Sequence, residues 1–395
     1  MPTPTDTTLQ QGHPMKHTTI ILSIILSLTL ATPSFAATPS FARTDEEWAH
    51  LRDNRLEWAE IADLVKEYNA TVLQNEAKYG TDETRTMNAA ETKQHLENMA
   101  DDYETMAIEA EGTTGGAITA ASYRMMADQV RSQADESTSD SRIVRLEYDR
   151  AEAEIVKNVR ELYISYYKQQ AENAKNQKNT AFLTRAHASA VNLKNHGMGT
   201  ELDVLTALEA LQNAEAQEVT GTSLLNADYK KLITLCGWKY DAQAEIGALP
   251  EYDPAAIAAV DNTLSTEQAL ANSITVKIDE RKLENARDIY GNGTVVQKAE
   301  SQLAMDKNAV RSSMNTAYSA LLLAKATYDN AAAQVTVQAQ SLATAARQLN
   351  LGVISQMDYQ KAEYAYDEAQ SARDIAWYDL ILSRIAYDAL TGGLA

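Results

Sequence analysis

Few residues in this 395-residue sequence have the types and spacing that chemistry needs. The histidines are His13, His17, His50, His95, His187 and His196; only His13 and His17 stand at the spacing that would put a metal-binding pair on one helix face, and Pro14 lies between them. There is no Gly-x-Ser-x-Gly nucleophile elbow, no phosphate-binding loop, and no Gly-x-Gly-x-x-Gly after a strand. The single cysteine, Cys236, excludes an intrachain disulfide framework and a thiolate zinc site, and reads as a small packing residue at a helix end. No enzyme, cofactor or metal is therefore expected. What remains are carboxylates, most of them on solvated helix faces. Two stand out by position. Asp203 closes Gly197-Met-Gly-Thr-Glu-Leu-Asp203, and Asp358 closes Gly352-Val-Ile-Ser-Gln-Met-Asp358. Each follows a glycine (Gly197, Gly352), a hydroxyl residue (Thr200, Ser355) and a large apolar residue (Leu202, Met357). An acid so placed suits the first turn of a helix, where the helix dipole favours negative charge.

The two segments are separated by a constant offset of 155 residues. Carried outward without a gap, that offset pairs Tyr163 with Tyr318, Ala171 with Ala326, Ala207 with Ala362 and Ala210 with Ala365, and ends with Leu235-Cys236-Gly237 on Leu390-Thr391-Gly392. This is an internal duplication. The elements that carry it are long helices. The seven prolines leave residues 44–249 and 255–395 without one, and both spans are rich in helix formers. Tyr148, Ala151, Ile155, Val159, Leu162 and Tyr166 recur at spacings of three and four, a coiled-coil-like seam, and Val310, Met314, Ala317 and Leu321 repeat it in the second half. The fold class expected is all-α, with long antiparallel hairpins in two tandem repeats. Each half runs first helix, long helix, glycine tip, returning helix. Gly221 inside the first returning helix could mark a kink.

The expected organisation follows. Residues 1–42 read as a secretory signal peptide, with 1–14 an upstream extension before Met15. Lys16 and His17 give a basic start, Ile20–Leu30 an apolar run, and cleavage is expected after Ala36 or Ala42. Residues 43–247 form the first repeat, with Asp45–Tyr79 as one helix stopped by Gly80, and a helical insert at 81–141. Residues 248–264 are a linker. Residues 265–395 form the second repeat, with Ser265 capping a helix that runs to Tyr290. The net charge of −20 argues against nucleic-acid binding, which needs a basic footprint.

These features together resemble the TolC-like outer membrane efflux proteins. The resemblance is best in Gln348-Leu-Asn-Leu-Gly-Val-Ile-Ser-Gln-Met-Asp-Tyr-Gln-Lys-Ala362 and in Ala389-Leu-Thr-Gly-Gly393, with Leu264-Ser-Thr-Glu-Gln-Ala-Leu-Ala271 resembling the opening of the second half. It implies a homotrimer whose helices form a hollow tube continuing a β-barrel. The tips at Gly197, Thr200, Leu202, Gly352, Ser355 and Met357 would meet a periplasmic adaptor and an inner-membrane transporter. Asp358 and Asp203 would line the narrow mouth, where a ring of carboxylates favours cations. The sequence departs from that pattern in one respect. Two membrane strands of about 9–11 residues each should lie between the first and second helices of each half. Residues 80–141 alternate poorly, and Gly291-Asn-Gly-Thr-Val-Val296 is too short, so the barrel strands are expected to be missing. The alternative reading is an exported coiled-coil-like envelope scaffold without channel activity.

Overall fold

A computed structural model describes residues 43–394. The segment read as an export signal lies outside the described residues.

The N-terminal stripe does not make one helix. Helix α1 (Asp45–Leu51) starts on a capping box between Thr44 and Glu47. The chain then turns at Asp53, whose carboxylate accepts from the Arg55 amide at 2.7 Å. Strand β1 (Arg55–Leu56) follows, then a tight helical turn (Trp58–Glu60), α2 (Ile61–Tyr68) and α3 (Ala70–Thr81). The apolar spacing that suggested a continuous helix is real, since Trp48, Leu51, Leu56, Ile61, Leu64 and Val65 are all buried. It is read out by three short pieces because two side chains offer the backbone better local partners. One is Asp53. The other is Asn69, which caps α3 by accepting from the Thr71 and Val72 amides and donates from Nδ2 to the Leu235 carbonyl at 2.8 Å. Gly80 does not stop the helix, which runs one residue further.

The insert is a helical hairpin, α4 (Ala89–Glu111) and α5 (Ala117–Glu136). Ala100 and Ala107 on one helix, and Ala120, Ala127 and Ala134 on the other, are completely buried. Alanines at seven-residue spacing let two helices approach closely with little side chain between them.

Helix α6 (Ser141–Asn195) and α7 (Glu201–Leu235) form the first long hairpin. At 1.5 Å per residue, α6 is a rod of about 80 Å. Gly221 does not kink α7, which is continuous. It is buried against α6, where a Cβ would come within 2.9 Å of Asn173 Oδ1, so glycine is there for close approach. Strand β2 (Glu245–Ile246) pairs in parallel with β1, Arg55 opposite Glu245 and Leu56 opposite Ile246. These two-residue strands are the only ones among the described residues.

The second half begins earlier than expected and in two pieces. Helix α8 (Asn262–Asn272) is capped by Asp261, not Ser265, and α9 (Ile274–Tyr290) is capped by Ser273. Asp261 wins because its carboxylate reaches two free amides, those of Thr263 and Leu264. After the Gly291–Gly293 turn come α10 (Thr294–Asn350) and α11 (Gln356–Ala389), closed by a widened turn at Leu390–Leu394. The duplication survives in the element boundaries. Helix α6 ends at 195 and α10 at 350; α7 starts at 201 and α11 at 356. The offset slips only at the end. Gly237 has a positive φ of 97°, but its mate Gly392 does not; the widened turn moves that role to Gly393, at φ 120°.

Packing makes a row. Helix α7 lies on α6, α6 on α11, and α11 on α10, while the outer members α7 and α10 do not pack along one another. Two apolar clusters sit on this row as repeat mates. The first gathers Val159, Tyr163, Ile164, Leu232, Ile381 and Ile385 under α1 and α2. The second gathers Val310, Met314, Leu321, Leu380 and Tyr387 under α8 and the Ile257 turn. Cys236 belongs to the first, and burial pushes its thiol up to about 12. Tyr163 and Tyr167 both donate to the Gly247 carbonyl, which ties the end of the first repeat to the middle of α6. Toward the glycine ends the rods bury little beyond Asn173, Leu211, Ala214, Gly221, Ala345 and Ser371, so there the row is a thin layer with two wet faces.

Candidate functional site

The two hairpin tips are built alike. Gly197 and Gly352 stand at φ 72° and 68°, a left-handed conformation that glycine adopts without penalty. Each closes its rod with the same pair of bonds. The Gly197 and Met198 amides donate to the Lys194 and Leu193 carbonyls; those of Gly352 and Val353 donate to Leu349 and Gln348, all at 2.9 Å. This is the Schellman arrangement, which uses up the last free carbonyls of a helix. The return helices start on matching capping boxes. Thr200 Oγ1 accepts from the Asp203 amide at 3.2 Å while Asp203 Oδ2 accepts from the Thr200 amide at 2.8 Å. Ser355 and Asp358 make the same exchange at 3.1 and 3.3 Å.

The carboxylates are thus committed locally. The Thr200 hydroxyl, then its amide, hold Asp203 below the usual carboxylate range. The Ser355 hydroxyl and amide do the same for Asp358, with Lys361 adding a smaller pull from 3.6 Å. Both acids are ionised at neutral pH and exposed. Around them the tips are apolar and unsheltered: Met198, Leu202, Leu351 and Val353 are 70%, 71%, 78% and 68% exposed. The mates Leu202 and Met357 differ, Met357 being half-buried. Among the described residues no group of three or more His, Cys, Asp or Glu is placed to hold a metal ion. No described helix is long and apolar enough to cross a membrane.

Two features escaped the sequence reading. The first is a ladder joining the repeats. Lys168, Lys175, Lys178 and Arg185 on α6 face Asp379, Glu368, Asp367 and Glu363 on α11, at 2.7, 3.9, 3.1 and 3.2 Å. Phe182 stacks on Tyr364 within it, ring centres 4.6 Å apart. The second is at the opposite end of the rods. Asp140, the cap of α6, is almost fully buried and accepts from Arg281 Nε at 2.6 Å and Asn285 Nδ2 at 3.0 Å, both on α9. Burial opposes its charge, but the Ile143 amide, Asn285 and Arg281 outweigh that and hold the carboxyl below its usual range.

Two tandem hairpins of very long helices, with capped glycine turns at one end, define the all-α, TolC-like fold. Solved structures share it. The outer-membrane channel OprN is 13% identical, with a TM-score of 0.55 over 88% of this chain and 92% of that one. The outer membrane protein VceC from Vibrio cholerae is 11% identical, with a TM-score of 0.54 over 88% and 97%. A membrane protein from Pseudomonas aeruginosa is 14% identical, with a TM-score of 0.51 over 93% and 97%. At these identities the likeness is one of fold. No protein-family model matches the chain, and no curated protein matches it.

Proposed function

We propose that this chain is a subunit of an export conduit, in which copies assemble side by side into a helical tube. The observation that carries this reading is the open row α7–α6–α11–α10. A closed four-helix bundle gives every helix two neighbours; here each outer rod has one long neighbour and a free flank. Those rods expose large apolar side chains, Leu205, Val219 and Leu224 on α7 and Leu322, Leu323 and Val337 on α10. A thin layer with two unsatisfied edges is what a ring of identical subunits needs. In this reading three copies close the tube, and cargo, small molecules or proteins, passes along it across the cell envelope. The exposed apolar tips dock a periplasmic adaptor that links the tube to an inner-membrane pump, and Asp203 and Asp358 present negative charge at its mouth. Solved structures that share this fold include an outer-membrane channel and an outer membrane protein, which supports a place in the outer envelope.

A second reading, an exported helical scaffold that keeps the repeats without a channel, is favoured by one observation. Where two spanning strands would stand in each half, the chain has the α4–α5 hairpin and the short Gly291–Gly293 turn. Light scattering and electron microscopy of residues 43–395 separate the two. A three-fold hollow particle supports the conduit, and Asp358→Asn in it should weaken block of the pore by multivalent cations. A monomer or solid bundle at all workable concentrations, with or without detergent, leaves the scaffold.

A further inference from the structure

Helix α9 is wedged between the starts of the two rods, away from the glycine tips, and a carboxylate stands at each contact. Toward α6 the contact is the Asp140 cluster described above. Toward α10 it is Asp279, which is 5% exposed and whose Oδ2 is buried with no hydrogen-bond partner. An ionised carboxylate acceptor left unpaired inside a protein is costly. The group within hydrogen-bonding reach is another acid, Asp306 on α10, which also accepts from Gln302 Nε2 at 2.8 Å. Two carboxylates cannot bond to one another; a carboxylic acid and a carboxylate can. One proton therefore resolves both the orphaned oxygen and the repulsion. The other charges acting on Asp279 are Lys282 on α9 itself and Arg150 on α6. Both favour the ionised form, and burial and Asp306 outweigh them.

We propose that Asp279 and Asp306 share a single proton that locks α9 to α10, and that the joint loosens when this proton is lost. Burial, then the neighbouring acid, push Asp279 up to about 7, while the bond from Asp279 holds Asp306 below its usual range. The sign follows from the direction of each shift. The stability that Asp279 contributes is full below the ordinary carboxylate range and is gone once pH has risen past about 7. Asp306 acts oppositely, its contribution being lost as pH falls through its depressed value. The pair is thus tightest in a window on the acid side of neutral. Asp140 on the other flank of α9 is held by the Arg281 guanidinium, Asn285 and backbone amides, and does not weaken as pH rises. Above neutral pH, then, α9 should part from α10 while staying attached to α6. A shared proton is preferred to a bound divalent cation because two acids give too few oxygen ligands and two cationic side chains act on the site.

Amide hydrogen exchange on the full chain between about pH 5 and about pH 9, corrected for intrinsic rates, tests this. Wild-type α9 and the first turns of α10 should lose at least about tenfold in protection across neutral pH, while the α6 start does not. Asp279→Asn, whose amide donates to Asp306 as the shared proton does, should keep high protection throughout. Infrared spectroscopy of the wild type supplies a readout that needs no variant: a protonated carboxylic acid band that persists at about pH 6 and vanishes by about pH 8. Absence of that band, or equal pH dependence in wild type and Asp279→Asn, overturns the proposal. So does protection that responds to added calcium chloride and not to pH, which would assign the pair to a cation.

Discussion

At the scale of single residues, much of what matters here is backbone geometry. Gly237 shows it most sharply. It sits at φ 97°, ends α7 with bonds from its own amide and that of Trp238, and lies so close to α2 that a Cβ would fall 2.2 Å from Tyr68 Cβ. Gly237→Ala should cost at least about 3 kcal/mol in denaturant unfolding, strain and overlap together. Gly197 has the same conformation with nothing within 4 Å, so the same change there should cost only about 1 kcal/mol. Equal losses at the two positions would show that contact with Tyr68 is immaterial. The tip residues were legible because their signals are local: a glycine, a hydroxyl and an acid at fixed spacing can form one cap. Asp279 was not. In sequence it is one more acid on a helix, and only the arrival of α10 buries it beside Asp306.

At the scale of elements, periodicity told the truth about faces and misled about continuity. The rods, their seams and their ends could be read because nothing interrupts a three-four pattern over fifty residues. The stretch from Asp45 to Tyr79 has the same pattern, yet Asp53 and Asn69 break it, since an Asx side chain can outbid the helix for nearby amides. The ladder between α6 and α11 could not be foreseen, its partners being 178 to 211 residues apart. Exposed pairs of this kind contribute little singly, about 0.5 kcal/mol each. Their value is in register. Lys178→Glu with Arg185→Glu should lower stability by about 1–2 kcal/mol, and adding Asp367→Lys with Glu363→Arg should restore most of it. If the fourfold variant unfolds as readily as the first double variant, the ladder does not set the register. The α9 end supplies a pH prediction. Because Asp140 is held below its usual range, its contribution is present above that range and lost as pH falls through it. Asp140→Asn should therefore flatten the acid limb of the stability profile measured by circular dichroism.

At the scale of the molecule, the row of rods is a sheet made of helices, and like a sheet it has edges. In the proposed tube, curvature and closure arise between copies, at those two edges. Val219 and Leu323 mark the two free rods and are 71% and 69% exposed. Val219→Asp and Leu323→Asp should leave the unfolding midpoint within about 0.5 kcal/mol of wild type, since nothing in the single chain packs on them. In light scattering, either should shift the particle to the mass of one chain. Unchanged assembly in both would place the interface elsewhere.

The matched ends of the rods have a further consequence. Helices α6 and α10 hold 55 and 57 residues and stop in register, so the length of each rod is counted out in residues, about 80–85 Å. The molecule is a gauge. It cannot be stretched to a different gap by bending a loop, and an insertion in one rod would tilt one tip past the other. To change the distance it spans, four helices must lengthen together, by steps that keep every seam facing its partner. A gap set by one such chain is therefore fixed for whatever stands at either end of it.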